Sequence, residues 1–164
     1  MGTPLSTEER HSRFELRTLL ETSRLLIESH DPDFVLNNLL LITMGKLLVP
    51  KGMIIIHKPG DEEYFVSKSK GRGWLQEDDI IEAEFEAHIT EQGVIRGDEY
   101  AEVFDALGIE RECTLFNLMT SNHHLGFLCL GPKGNKEELT SGEIEFIESL
   151  TIISSVAIAN SRMF

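Results

Sequence analysis

The sequence predicts an α+β domain in which an antiparallel sheet is covered by helices, and three features carry that expectation. Two pairs of strand-like segments, each joined by a short polar connection, read as hairpins. Helical patterns precede the first pair and follow the second. The second helical segment is apolar on more than one side, which calls for burial against a sheet.

The elements follow in chain order. Residues 1–12 are polar, contain Gly2 and Pro4 and show no period, so they read as a flexible lead-in to a single domain over 13–164. From Arg13 the pattern is helical: Leu16, Leu20, Ser23 and Ile27 follow steps of four, three and four, and Leu19 and Leu26 widen the stripe. Such a stripe packs against a core, a partner helix, or both. This helix is expected to end near Ser29-His30. Asp31-Pro32 then supplies an N-cap and a proline at the first helical position, where its missing N–H costs nothing. The second helix runs through Phe34, Val35, Leu39, Leu40, Ile42, Met44, Leu47 and Leu48, and Pro50 closes it.

Gly52 to Lys58 is rich in β-branched residues and reads as a buried strand. Pro59-Gly60-Asp61 is a turn, and Tyr64 to Lys70 is the return strand. Two glycines make Lys70 to Trp74 a loop. The middle of the chain is less legible: a helical pattern over Ile80 to Ile89, a turn or short strand over Gly93 to Gly97, and a helix over Glu99 to Leu107 with Gly108 as its C-cap. Cys113 to Thr120 and Leu125 to Leu130 form the second hairpin across Ser121-Asn122-His123-His124. After a loop from Pro132 to Glu138, Thr140-Ser141-Gly142-Glu143 matches a capping box. The last helix then runs through Ile144, Ile147, Leu150, Ile153, Ala157 and Ile158.

Composition bounds the function classes. A formal net charge of −13 repels phosphate backbones and anionic headgroups, which argues against nucleic-acid and membrane partners. The longest uncharged apolar run, Val35 to Met44, falls short of a bilayer span, and no signal peptide opens the chain, so the cytoplasm is the expected compartment. Cys113 and Cys129 match no CxxC or zinc spacing and read as buried free thiols. Adjacent His123 and His124 would face opposite sides of a strand, so the bland reading is a hairpin tip. His88 reads as an ordinary amphipathic position ahead of a haem or iron ligand. The acidic run from Glu77 to Glu86 reads as a solvated face. No metal site and no catalytic motif is expected.

Two stretches carry a family resemblance. The C-terminal one is His124-Leu-Gly-Phe-Leu-Cys-Leu-Gly-Pro-Lys-Gly, then Leu139-Thr-Ser-Gly-Glu143, then Ala157-Ile-Ala-Asn-Ser-Arg162. It resembles the closing half of a GAF domain. The N-terminal helix of the type Leu-x-x-Leu-Leu-x-x-Ser-x-x-Leu, the helix opening at Asp31-Pro32 and the β-branched strand after it are similar too, so the resemblance spans Phe14 to Phe164. It implies a six-stranded antiparallel sheet with the terminal helices on one face. On the other face, residues 70–111 would enclose a small-molecule pocket. It also implies a non-enzymatic sensory or regulatory module of a signalling protein, a homodimer joined through its terminal helices, and an output domain after Phe164.

Relatives bind cyclic nucleotides, bilins, haem or other small ligands, and fold analogy leaves the ligand or cofactor of this chain unknown. A covalent bilin is disfavoured, because Thr114 and Leu130, not histidines, follow the two cysteines. Against the cyclic-nucleotide pattern, Lys133 and Glu143 fit, whereas the Asn, the Phe and the second acid are missing. Two other readings stand beside the sensor: a ligand-free dimerisation module, and a thiol enzyme of the kind that reduces free methionine sulfoxide. The candidate ligand-binding residues are His57, Trp74, Phe85, Phe104, Leu115, Asn117, Met119 and Phe127: aromatic and apolar groups for a pocket, with a histidine able to switch with pH and an inward-facing amide.

Overall fold

The computed structural model describes residues 3–162 except 5, 30, 59, 61 and 122, and side chains at 8, 11, 12, 14, 15, 161 and 162 stand outside the description. The expectations at Met1 and Gly2, at His30, at Pro59 and Asp61 of the first turn, at Asn122 of the second, and at Met163 and Phe164 therefore lie outside the described residues.

Two helices open the fold. Helix α1 (Thr7–Glu28) begins earlier than Arg13, where the apolar period starts, because its start is set by a cap: Ser6 Oγ accepts from the Glu9 amide at 3.1 Å. Only part of its stripe faces inward. Leu26 is fully buried and Leu19 packs on the core, whereas Leu16, Leu20 and Ile27 are exposed. Helix α2 (Pro32–Leu47) starts as its sequence dictates, with Asp31 accepting from the Asp33 amide and Pro32 in the first turn. It buries Val35, Leu36, Leu39, Leu40 and Leu47.

Strands β1 (Gly52–His57) and β2 (Glu63–Lys70) form the first hairpin. Between Ile80 and Ile89 the helical expectation is corrected. Strand β3 (Ile80–Glu82) adds to β2, and only Ala87–Thr90 forms helix, α3. A three-residue strand paired at its whole length wins over a weak helical period, because backbone groups at a sheet edge take the partner at hand. Strand β4 (Val94–Arg96) and helix α4 (Ala101–Leu107) follow. Gly108 ends α4 at φ 72°, the left-handed cap that glycine adopts without a Cβ clash. Strands β5 (Thr114–Met119) and β6 (His124–Leu130) make the second hairpin, and α5 (Ser141–Arg162) closes the fold.

The capping box at α5 is reciprocal. Glu143 N–H donates to Thr140 Oγ1 at 3.1 Å, and Thr140 N–H donates to Glu143 Oε1 at 2.9 Å. Lys133 Nζ reaches the same carboxylate oxygen at 2.9 Å. Burial works against the charged form of Glu143, but these bonds outweigh it and hold the carboxyl below its usual value.

All the strands join one antiparallel sheet in the order β3-β2-β1-β6-β5-β4. Alternation splits its side chains into two cores. Ile54, Ile56, Phe116, Leu118, Leu128 and Leu130 meet α1, α2 and α5 on one face. Met53, Ile55, Tyr64, Val66, Leu115, Phe127 and Cys129 face the middle of the chain, including α3 and α4. The architecture is the expected one: α+β, six strands, terminal helices on one face and residues of the middle segment on the other.

One residue departs from the alternation in β6. Leu118 pairs with Gly126 and Met119 with His124, so Leu125 is the extra residue of a β-bulge. Leu125 therefore joins the helix-side core, and His124 turns to the same face as Phe127. Gly126 makes the bulge possible. Its φ is 154°, and a Cβ placed there would stand 2.0 Å from the Ile55 carbonyl oxygen of β1. Gly126→Ala is therefore expected to destabilise the fold by about 2–4 kcal/mol. Gly45→Ala, exposed in the last turn of α2 with nothing within 4 Å, is expected to stabilise it by up to about 1 kcal/mol. Urea unfolding of the two variants side by side checks both signs.

Candidate functional site

The face opposite the terminal helices carries the polar chemistry. At one end of the sheet, His57 at the end of β1 stands directly across from Tyr64 of β2, and the bulge brings His124 of β6 to their other side. Tyr64 Oη and His124 Nε2 are 2.9 Å apart and hydrogen-bonded. The ring centroids of His57 lie 4.8 Å from Tyr64 and 6.1 Å from His124. Phe127 stacks on Tyr64 and meets His124 edge-on at 4.8 Å, and Phe85 packs against both Tyr64 and Phe127. An aromatic wall thus flanks a small group of hydrogen-bonding side chains, of which Tyr64 is buried and His57 and His124 are partly buried.

This enclosure shifts the titrations. Burial, with the nearby His57 adding to it, brings His124 down from the ordinary imidazole value to about 4, so it is neutral near pH 7. Burial pushes the Tyr64 phenol upward, keeping its O–H. His124 Nδ1 is buried without a hydrogen-bond partner among the described residues. A buried polar atom left unpaired costs about 1–3 kcal/mol.

Asn117 is on the same face, buried in β5, and its partner is now visible. Its Nδ2 donates to the Ile89 carbonyl at 3.1 Å and to the Gln92 carbonyl, which ties the end of α3 down onto the sheet. Its Oδ1, like His124 Nδ1, is buried and unpartnered. The other expected residues are spread along this face. Met119 pairs with His124 across the hairpin and is half-buried. Phe104 of α4 and Leu115 are fully buried core. Trp74 stands at the far end of β1, with Lys51 Nζ 5.0 Å above its ring. It lines a cavity of about 340 Å³ with Leu75, Asp79, Gly108 and Glu110.

A larger cleft of about 560 Å³ opens beside Cys113, Arg96, Lys133 and Lys136. Of the two cysteines, both free and buried, only Cys113 lines it. A hydrogen bond from Cys129, helped by the Lys51 charge, draws Cys113 down, whereas burial pushes Cys129 well up. His88 points outward, paired with Glu86 at 3.1 Å. Among the described residues no group of three or more His, Cys, Asp or Glu side chains could hold a metal, and no helix is long and apolar enough to cross a membrane.

The structure therefore gathers His57, Phe85 and Phe127 with Met119 beside them, and leaves Trp74, Phe104 and Leu115 elsewhere on the face. Tyr64 and His124 are the residues that sequence reasoning missed. Tyr64 was legible as the inward position of an alternating strand. His124 was hidden by the bulge, and its only local signal is Gly126 in an otherwise apolar strand.

No protein-family model matches the sequence, and none of the curated proteins matches it. Solved structures do resemble it. The GAF domain of Acinetobacter phosphoenolpyruvate-protein phosphotransferase is 16% identical, with a TM-score of 0.73 and 97% of each chain covered. A methyl-accepting chemotaxis protein fragment is 12% identical at a TM-score of 0.68, covering 87% of this chain and 97% of its own. The phycoerythrobilin-bound GAF domain of a cyanobacterial phytochrome is 14% identical at 0.62, with 98% of each chain covered. At these identities the likeness shows the fold.

The depressed His124 sets a pH signature. Its folded value lies below the unfolded one, so the unfolded chain binds more protons between about pH 4 and pH 6.5. The associated stability is fully present above that window and is lost as pH falls through it, by on the order of 2 kcal/mol. His124→Gln is expected to flatten this part of the profile, and denaturant midpoints measured at half-unit pH steps check it.

Proposed function

From the GAF-domain fold, we propose that this chain is a sensory or regulatory module that binds a small ligand on the face carrying Tyr64 and His124 and passes its state to α1 and α5. The observation that carries this reading is two of the three buried polar atoms on that face that have no hydrogen-bond partner among the described residues, His124 Nδ1 and Asn117 Oδ1, the third being Trp74 Nε1 at the far end. A bound ligand that satisfies them recovers their desolvation cost and prefers the conformation that presents them. The eight residues expected from the sequence, His57, Trp74, Phe85, Phe104, Leu115, Asn117, Met119 and Phe127, are proposed as the wall of that site or its support, with Tyr64 and His124 added. The route outward is short, because β5 carries Asn117 on one face and packs on α5 with the other. The module is non-enzymatic in this proposal, works in the cytoplasm, and hands its signal to an output domain.

The output is proposed to run through a homodimer. Helix α1 exposes Leu16, Leu20 and Ile27, and α5 exposes Ile152 and Val156. Leu16 and Leu20 lie in a groove edged by Arg13, Arg17 and Arg24, with Glu21 the one acid among them. These arginines suit a second copy of a chain whose net charge is −13.

Native mass spectrometry followed by a thermal-shift screen with nucleotides, haem and small metabolites tests the ligand reading. A co-purified mass, or a ligand-dependent rise in Tm, supports it, since a ligand stabilises the state it binds. A bare dimer that no ligand stabilises would leave a dimerisation module and reduce the site residues to core. Light scattering tests the dimer. Leu16→Glu with Leu20→Glu is expected to give a monomer with unchanged far-UV circular dichroism, and a wild-type monomer at high concentration rejects the interface.

A further inference from the structure

We propose that His57 and His124 together bind a borderline divalent transition-metal ion of the Zn2+ class. The proposal rests on the ligand-binding reading of this same face and names the ligand. The two imidazoles are brought together from different strands by the Leu125 bulge, which is the kind of local device that re-aims a side chain. Their centroids are 6.1 Å apart. An ion about 2 Å from one nitrogen of each ring stands roughly 3 Å from each centroid, so the two rings can straddle it after small side-chain rotations.

Nitrogen chemistry supports the same atom pair. When His124 Nε2–H donates to Tyr64 Oη, the unpartnered Nδ1 carries the lone pair. A metal-ligating histidine characteristically gives its other nitrogen to such a partner, which fixes the tautomer and the ring orientation. Tyr64 is then a positioning residue. Imidazole ligands favour Zn2+, Cu2+ and Ni2+ over Mg2+ or Ca2+, which demand oxygen. No third His, Cys, Asp or Glu joins the pair among the described residues, so water fills the remaining coordination positions. Such an open site exchanges its ion, unlike a closed four-ligand structural zinc site.

Titration of the full chain with ZnCl2 by calorimetry, and with CoCl2 by visible absorption, tests the assignment. One ion per chain is expected, with affinity reduced at least tenfold in His57→Ala and in His124→Ala and unchanged in His88→Ala. Tyr64→Phe is expected to weaken binding while leaving the stoichiometry at one. Since His124 is partly buried and its replacement can unfold the chain, wild-type NMR gives a second readout: Zn2+ must shift the imidazole signals of His57 and His124 before those of His88 and His123. Equal binding by the His57 and His124 variants, or first shifts at His88, overturns the site. No binding of either metal while an organic compound raises the Tm overturns the metal and leaves the sensory reading standing.

Discussion

The pairing of β1 with its two neighbours is the contact on which the rest depends. Met53, Ile54, Ile55 and Ile56 are all fully buried, and they alternate between the two cores, Met53 and Ile55 to one and Ile54 and Ile56 to the other. At roughly 1.5–3 kcal/mol for each fully buried side chain of this size, this short segment anchors both layers at once. It does so only because β6 can approach at Gly126, where the Ile55 carbonyl leaves no room for a side chain. The same close approach admits the bulge that turns His124 toward Tyr64. The packing of the sheet and the placement of His124 therefore share one backbone contact.

The two faces divide the work differently. On the helix side, the buried polar groups that are paired bond locally: Thr43 bonds the Leu39 carbonyl one turn back, Thr151 that of Glu148 and Ser155 that of Thr151, while Ser154 Oγ has no partner among the described residues. Their job is to disappear into the helix, and Leu, Ile and Phe do the packing. Across the sheet, Tyr64, His124 and Asn117 make bonds between elements far apart in sequence. Such longer-range polar contacts fix the relative placement of these elements with a directionality that an apolar layer cannot supply.

How much of this was legible follows the length of each signal. The hairpins announced themselves through β-branched runs and alternation, and α5 through a capping box that forms as written. The middle segment was hard to read because β3 and β4 have three residues each and α3 has four. Elements that short hold less than one reliable period, and partners such as Asn117 fix them from outside. The start of α1 was missed because its first turn is polar and only Ser6 marks it. Among the site residues, His57 and Phe127 could be read from strict alternation, whereas one inserted residue was enough to conceal His124.

The packing of α1 on α5 ties the opening helix to the closing one. A ribosome delivers α1 before every other element of this domain and α5 after them. Throughout that interval Leu19 and Leu26 lack the surface they finally cover, and β1 lacks β6 along one edge. The elements between them must be made before either contact can close, so α1 stays uncovered until α5 follows and one edge of β1 stays unpaired until β6 follows. The order of synthesis within this domain thus leaves α1 as the helix whose final packing partner arrives last.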